Sequence, residues 1–192
     1  MATYQNINEI QSAKGGNRIC LVELSTSLAI PGTLTPDTNC IDLGHLKESQ
    51  TGVTSSVTKL KNEAQEVVQS EYDYEGMTTG VLMQTSKRIL DFVAFTVRNK
   101  TYLQYRKAGV VNGKTQEFFA VGKVTPQATQ KNPNAAESNN YEFTAFVNDS
   151  SVTFSTANLA SISTALSLSG VLACTVTVTI PAGQEFLIVE TS

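Results

Sequence analysis

The stretch that decides the fold is Gly80–Gly109, GVLMQTSKRILDFVAFTVRNKTYLQYRKAG. Its centre predicts one amphipathic helix, because Ile89, Val93 and Val97 recur at the spacing of a single helical face. Three more apolar residues are expected to widen this stripe, namely Leu90, Phe92 and Phe95. The stretch therefore predicts a helix with one face buried in the core.

Both ends of this helix carry capping signals. Ser86 can accept a hydrogen bond from a backbone N–H of the first turn, and Asn99 stands where a left-handed C-cap is expected. On either side the apolar pattern changes to a period of two residues, in Val81–Thr85 and in Thr101–Lys107. A single helix is thus predicted to lie between strands and to cover their apolar face.

Most other segments that show a clear pattern predict strands. Asn112-Gly113 is typical of the tight turn of a β-hairpin, and Pro-rich or Gly-rich stretches such as Ser25–Asn39 predict loops. The remaining predicted strands are Arg18–Leu24, Cys40–Glu48, Thr115–Val124, Tyr141–Asn148, Val152–Phe154, Val171–Ile180 and Glu185–Glu190. The fold class is therefore mainly β, with one α-helix.

The region between the second strand and the helix is polar. After a polar connection over Ser49–Ser56, two extended segments are expected at Val57–Ser70 and Thr78–Thr85, joined across the acidic Glu71–Gly76. A helix over Leu60–Val68 also fits the spacing of the apolar residues, but a long polar hairpin is the preferred interpretation. Such a hairpin has little core of its own and would need a neighbour to stabilise it.

Composition limits the classes of function. The chain has 192 residues, 41% hydrophobic and 16% charged, a net charge of −3 and a pI near 5.2, so it lacks the basic surface of most nucleic-acid-binding domains. All 14 Lys and Arg residues lie between Lys14 and Lys131, and the last third carries only acidic charges. This asymmetry predicts a face that repels anions or meets basic residues of a partner.

The three cysteines, Cys20, Cys40 and Cys174, are far apart and odd in number, which predicts reduced, buried thiols. Residues 1–17 are polar and predict an N-terminal arm without a leader. No apolar run approaches the roughly 20 residues of a membrane span, so a soluble protein is expected.

No residue pattern predicts catalytic, cofactor or metal chemistry. Gly109–Thr115 has only three residues between its glycines and so departs from a phosphate-binding loop. His45 is the single histidine and has no Cys pair or Ser/Asp partner at a recognisable spacing. The carboxylates of Glu63–Glu75 lack a calcium-loop pattern and are better explained as a solvated or interface surface.

Four segments follow one another in a recognisable order. CIDLGHL at Cys40–Leu46 is followed by the long polar hairpin and by the helix Ser86–Arg98. FFAVGKV at Phe118–Val124 comes next, and YEFTAFV at Tyr141–Val147 then runs into Val152–Phe154. This order of segments resembles the major tail tube proteins of tailed bacteriophages. That family is related in fold to the tube proteins of type VI secretion and contractile injection systems.

The resemblance implies a β-sandwich or barrel-like core with one flanking helix. Subunits would form hexameric rings that stack into a tube, which houses the tape-measure protein and conducts double-stranded DNA without binding it specifically. Other expected partners are the tail terminator and the baseplate or tip proteins, with no membrane and no cofactor. The expected location is the virion tail, assembled in the cytoplasm of the bacterial host.

The resemblance covers roughly residues 18–155, and residues 156–192 are expected to add an outer hairpin on the same domain. The Val57–Glu75 hairpin is predicted to be the main subunit contact and part of the lumen wall; the alternative is a mobile surface loop. The residues predicted for this surface are Lys59, Lys61, Glu63, Glu66, Glu71, Asp73 and Glu75.

Three other functions remain open on the sequence. The chain could be another tail component, such as a tube cap or baseplate protein, or a tube protein of a type VI or contractile injection system. The third alternative is a small-molecule-binding β-barrel or enzyme, which self-assembly into filaments would distinguish from the others.

Overall fold

The computed structural model describes residues 18–82, 86–111, 114–125, 140–145, 150–155, 162, 164–165 and 177–191. Within them the chain is mainly β, as predicted, with a short helix between the third and fourth strands. The strands are β1 (Arg18–Glu23), β2 (Cys40–Lys61), β3 (Val67–Leu82), β4 (Tyr102–Val111), β5 (Lys114–Val124), β6 (Asn140–Ala145), β7 (Val152–Phe154), β8 (Val178–Ile180) and β9 (Phe186–Thr191).

Six of these strands close into a ring of antiparallel pairs. The order is β4-β1-β2-β3-β6-β5, and β5 pairs again with β4 to complete the ring. Strand β9 adds to the edge of β5 beside β6, while β7 and β8 form a separate two-stranded sheet. The closed ring agrees with the predicted barrel-like core, and closure removes most of the sheet edges that an open sheet would expose.

The helix begins at the predicted N-cap but ends at Val97, two residues before the predicted C-cap Asn99, and it is not α-helical throughout. Helix α1 spans Lys87–Asp91, and the Ser86 hydroxyl accepts a hydrogen bond from the Ile89 N–H at 3.3 Å. A π-helical turn over Phe92–Thr96 follows, in which the Val97 N–H donates to the Phe92 carbonyl. Asn99 has a φ of 58°, the left-handed conformation expected after the helix.

The π turn overturns one prediction about the helix. Phe92, Val93 and Val97 are buried against the strands as predicted, but Phe95 is 71% exposed. The bond from residue 97 to residue 92 adds one residue to the turn compared with an α-helix. Val97 therefore takes the next core position, and Phe95 points to solvent instead of widening the apolar stripe.

Alternate residues of the ring strands form two cores. Ile19 and Leu21 belong to an inner cluster to which all six ring strands and the helix contribute. Cys20 and Val22, on the opposite face of β1, belong to an outer cluster covered by β7 and β8. Cys20 and Cys40 are buried thiols, as predicted, whereas Cys174 lies outside the described residues.

The polar hairpin is present, but its limits differ from the prediction. Strand β2 continues through Ser49–Ser56, and the acidic Glu71–Gly76 lies within β3 instead of joining two strands. The turn lies at Asn62–Glu66, so the alternative helix over Leu60–Val68 is wrong. Gly52 does not mark a turn, because Thr51, Gly52 and Val53 all continue the pairing of β2 with β3.

The two C-terminal strands do not form the predicted hairpin with each other. Pro181-Ala182-Gly183 does turn the chain, and Gly183 has a φ of 77°. However, β8 pairs with β7 and β9 pairs with β5, although Leu187 and Val189 of β9 pack against the same outer cluster as the apolar residues of β8. The domain limit at residues 155 and 156 remains a prediction.

Several predictions concern residues outside the described part of the chain. These are the N-terminal arm 1–17, the Asn112-Gly113 turn and most of the loop 125–140. The register nevertheless places Val111 opposite Lys114, so β4 and β5 are joined across two residues, as the sequence predicts.

Candidate assembly surface

The outer part of the β2–β3 hairpin extends beyond the rest of the sheet. Strand β2 pairs with β1 only as far as His45, and β3 pairs with β6 only from Gly76 onward. Residues 52–61 and 67–75 therefore pair with each other alone within the described chain, and with the turn 62–66 they are called the ribbon here. Ten residues of strand give the ribbon a length of about 30 Å.

The turn at the tip is closed by side chains. The Glu66 N–H donates to Asn62 Oδ1 at 2.9 Å, and Asn62 Nδ2 donates to Glu66 Oε2 at 3.0 Å. Gln65 takes the left-handed conformation, with a φ of 64°. Glu66 was predicted to line a surface, but its carboxylate and backbone close the turn.

One face of the ribbon is apolar. Directly opposed residues of an antiparallel pair point to the same side, and Val57 is opposite Tyr72 while Ser55 is opposite Tyr74. Val53, two residues before Ser55, shares that side. The exposed fractions of Val53, Val57, Tyr72 and Tyr74 are 47%, 44%, 62% and 54%. We call these four residues the apolar face.

The opposite face is acidic. Glu71 is opposite Thr58, Asp73 is opposite Ser56, and Glu75 is opposite Thr54. Glu71, Asp73 and Glu75, called the acidic face here, are exposed, and no ion pair within the described part of the chain neutralises them. Successive carboxylates on one side of a strand are about 7 Å apart, so their mutual repulsion in water is only about 0.6 kcal/mol per pair.

The structure brings three of the seven predicted surface residues together and separates the others. Glu71, Asp73 and Glu75 form the acidic face, whereas Lys59 follows the apolar face toward the tip. Lys61 adjoins an irregularity in the register at the end of β2, and Glu63 lies in the turn beside Glu66.

Sequence reasoning missed the apolar face. Val53 had been assigned to a connection, and Tyr72 and Tyr74 to the joining segment. The signal was present in the sequence, because Glu71, Asp73 and Glu75 alternate with the two tyrosines at a period of two residues.

Large side chains of the described residues lie in the inner cluster of the ring. Phe118, Phe143 and Leu43 belong to this cluster and are among the largest fully buried side chains. The Tyr141 hydroxyl donates to Gln104 Oε1 at 2.6 Å, and burial raises the pKa of Tyr141.

The Arg106 guanidinium is buried against a residue of this cluster. Its carbon Cζ lies 4.7 Å from the centre of the Phe118 ring, a cation–π distance, and burial lowers the pKa of Arg106. The group stays charged at neutral pH because an arginine pKa starts far above 7. Its contacts lie within the domain, in contrast to the exposed ribbon.

Neither metal nor membrane features occur in the part of the chain that is described. Its His, Cys, Asp and Glu side chains form no group of three or more suited to holding a metal ion. Among the same residues, no helix combines the length and the hydrophobicity needed to cross a bilayer. In comparisons with protein-family models and with curated proteins, this chain matched none.

Proposed function

We propose that this protein is a structural subunit that assembles with its own copies into rings and tubes, as the tail tube of a bacteriophage. The observation that carries the proposal is the ribbon, which extends from the closed ring with one apolar and one acidic face. The ribbon is about 30 Å long at about 3.3 Å per residue. Because an isolated two-stranded ribbon is only marginally stable in water, it needs contacts with another molecule to stabilise it.

The edges of the ribbon support pairing with neighbouring copies. Residues 52–61 have no strand partner on the β1 side, and residues 67–75 have none on the β6 side, within the described chain. Exposed strand edges pair readily with other chains unless they are protected. Pairing of these edges around a ring would satisfy the free backbone groups and hold each ribbon in place.

The size of the ribbon favours more than one contact per subunit. A two-stranded ribbon about 10 Å wide and 30 Å long has roughly 300 Å² on each face. A stable interface buries about 800 Å² on each partner. One face alone is therefore too small, and the proposal combines the ribbon's edges and apolar face with further surface of the neighbouring subunits.

The acidic face gives the proposed tube a wall suited to DNA passage. Glu71, Asp73 and Glu75 would face the lumen when the apolar face packs on a neighbour, since the two faces are opposite. A basic wall would retain DNA through phosphate contacts, whereas carboxylates repel phosphates and leave the duplex free to move. The tape-measure, terminator and baseplate or tip proteins would be the other partners, in a virion tail.

The test of assembly is a shortened ribbon. Residues 55–74 are replaced by Asn-Gly, which joins the opposed residues Thr54 and Glu75 by a two-residue turn. Every residue removed is exposed, so the core should fold and melt as in the wild type. We expect rings or tubes of the wild type by negative-stain microscopy and light scattering, and none of the shortened chain. A wild type that stays monomeric at all concentrations and salt conditions tested would refute the proposal.

A second readout tests the lumen wall. Glu71→Lys with Glu75→Lys should leave tubes intact and slow DNA passage, because phosphates would then be attracted to the wall. Glu63→Lys is the control, since this carboxylate lies in the tip turn, outside both the acidic face and the apolar face. If the Glu71/Glu75 pair and the control affect DNA passage equally, the acidic face does not line the lumen.

A further inference from the structure

We propose that the apolar face of one copy's ribbon packs on Phe95 and the adjoining groove of a neighbouring copy. This inference rests on the self-assembly proposed above and names the surface that receives the ribbon. It joins two surfaces that are both exposed in the single chain, the ribbon and the helical segment after Ser86.

Phe95 is displayed by the departure from α-helical geometry. The π turn over Phe92–Thr96 keeps Phe92, Val93 and Val97 in the core and leaves Phe95 71% exposed. Single π turns within helices occur frequently at functional sites. A large aromatic side chain in such a turn suits a contact with another molecule, because aromatic residues are enriched at the centres of interfaces.

The groove beside Phe95 has the size and chemistry to receive the tyrosines of the ribbon. It has a volume of about 470 Å³ and is lined by Asp37, Lys87, Arg88, Asp91, Phe92, Phe95 and Thr96. Asp37 pairs with Arg88, and Asp91 pairs with Lys87, so the rim presents hydrogen-bonding groups beside an aromatic surface. Tyrosine rings could pack there on Phe95 while their hydroxyls donate to the rim carboxylates.

The charges of the groove also favour the apolar face of the ribbon over the acidic face. The four charged groups of the rim are paired with one another, Asp37 with Arg88 and Asp91 with Lys87, so the rim is neutral. Docking of the acidic face would bury its three carboxylates against cations that are already paired, and burial of unpaired charges is costly. The apolar face buries Val57 and Tyr72 without that cost, so it is the face that docks.

The groove beside Phe95 receives the ribbon of a second copy, because the described part of the chain has both surfaces of a heterologous contact. Apart from the ribbon, its exposed large hydrophobic residues are Phe95 and Ile188. Packing of two ribbons face to face would be isologous and would end at a dimer, whereas rings require two different surfaces. Phe95 is more exposed than Ile188, at 71% against 51%, and has a groove beside it.

Cross-linking between differently tagged copies tests the contact directly. In a Cys174→Ser background, one copy carries Val57→Cys and the other carries Phe95→Cys, and the assembled mixture is mildly oxidised. We expect a disulfide-linked species containing both tags. Thr58→Cys is the matched control, because its side chain lies on the opposite face of the same strand, and it should give no such species with Phe95→Cys.

Assembly of Phe95→Ser provides the second measurement. Loss of a central aromatic contact should raise the protein concentration needed for tube formation at least about thirty-fold, without changing the melting of the dispersed chain. Ile188→Ser is the control and should assemble at the wild-type concentration.

The two proposals can fail separately. Wild-type tubes together with normal assembly of Phe95→Ser and no link between positions 57 and 95 would overturn the docking proposal alone. Absence of any wild-type assembly would overturn both proposals.

Discussion

Two phenylalanines three residues apart, Phe92 and Phe95, should contribute very differently to stability. Phe92 is 2% exposed, belongs to the inner cluster and contacts the Tyr102 ring edge-on at 6.0 Å between centroids. Replacing a buried Phe by Ala costs about 3–5 kcal/mol, since contacts are lost and a cavity remains. Phe95 is 71% exposed, so Phe95→Ala should change the free energy of unfolding of the dispersed chain by no more than about 0.5 kcal/mol.

The Phe92→Ala cost is large relative to the total. Domains typically unfold with a free energy of about 5–15 kcal/mol. For a chain of this size, a loss of about 4 kcal/mol lowers the melting temperature by about 8–16 °C. Phe95→Ala should shift it by no more than about 2 °C on the same scale.

The assay is urea unfolding followed by far-UV circular dichroism, since the chain contains no tryptophan. Both substitutions are made in the chain with the shortened ribbon, so that assembly does not contribute to the measured stability. Equal losses for the two variants, or a larger loss for Phe95→Ala, would refute the π-turn geometry and restore the regular α-helical stripe.

Two further predictions concern the core. Burial raises the pKa of the Cys20 and Tyr102 side chains, so the unfolded chain releases these protons first as pH rises. The free energy of unfolding should therefore be highest below about pH 8.5 and fall above it. Cys20→Ala should reduce this slope in urea titrations at several pH values, and an unchanged slope would contradict the burial of the Cys20 thiol. A Cβ on Gly122 would lie 1.9 Å from the Thr144 carbonyl oxygen, so Gly122→Ala should separate β5 from β6 and lower the melting temperature. Gly52→Ala is the control, because a Cβ on Gly52 meets no atom within 4 Å. Equal melting temperatures of the two variants would show that the close approach of β5 and β6 is wrong.

Local patterns were sufficient where a residue's neighbours along the chain decide its conformation. Ser86 caps the helix and Asn99 takes the left-handed conformation, because both roles depend on side chains and backbone within one turn. The strand predicted over Val171–Ile180 is present in its described part, Val178–Ile180, where Val178 and Ile180 are buried and Thr179 is exposed, because side chains of a strand point to opposite faces whatever the partner strand is.

Local patterns were insufficient where a turn lacks the usual turn residues and where the partner of a strand lies far away along the chain. The tip turn at Asn62–Glu66 contains neither Gly nor Pro, and side-chain hydrogen bonds of Asn62 and Glu66 close it. Similarly, β9 follows β8 closely but pairs with β5, and the alternation within β9 does not say which distant strand becomes its partner.

The candidate assembly surface was likewise predicted only in part from the sequence. The sequence by itself determined that the region before the helix is polar and rich in carboxylates, since composition is a local property, and it favoured a hairpin there over a helix at Leu60–Val68. Only the tertiary structure decided which residues share a face. The cross-strand register places Val57 beside Tyr72 and Glu71 beside Thr58, and a shift of one residue would have mixed the two faces. Likewise, only the tertiary structure decided that Phe95 points outward. The hydrogen bond from the Val97 N–H to the Phe92 carbonyl forms a π turn, which changes the helical period and places Val97 in the core.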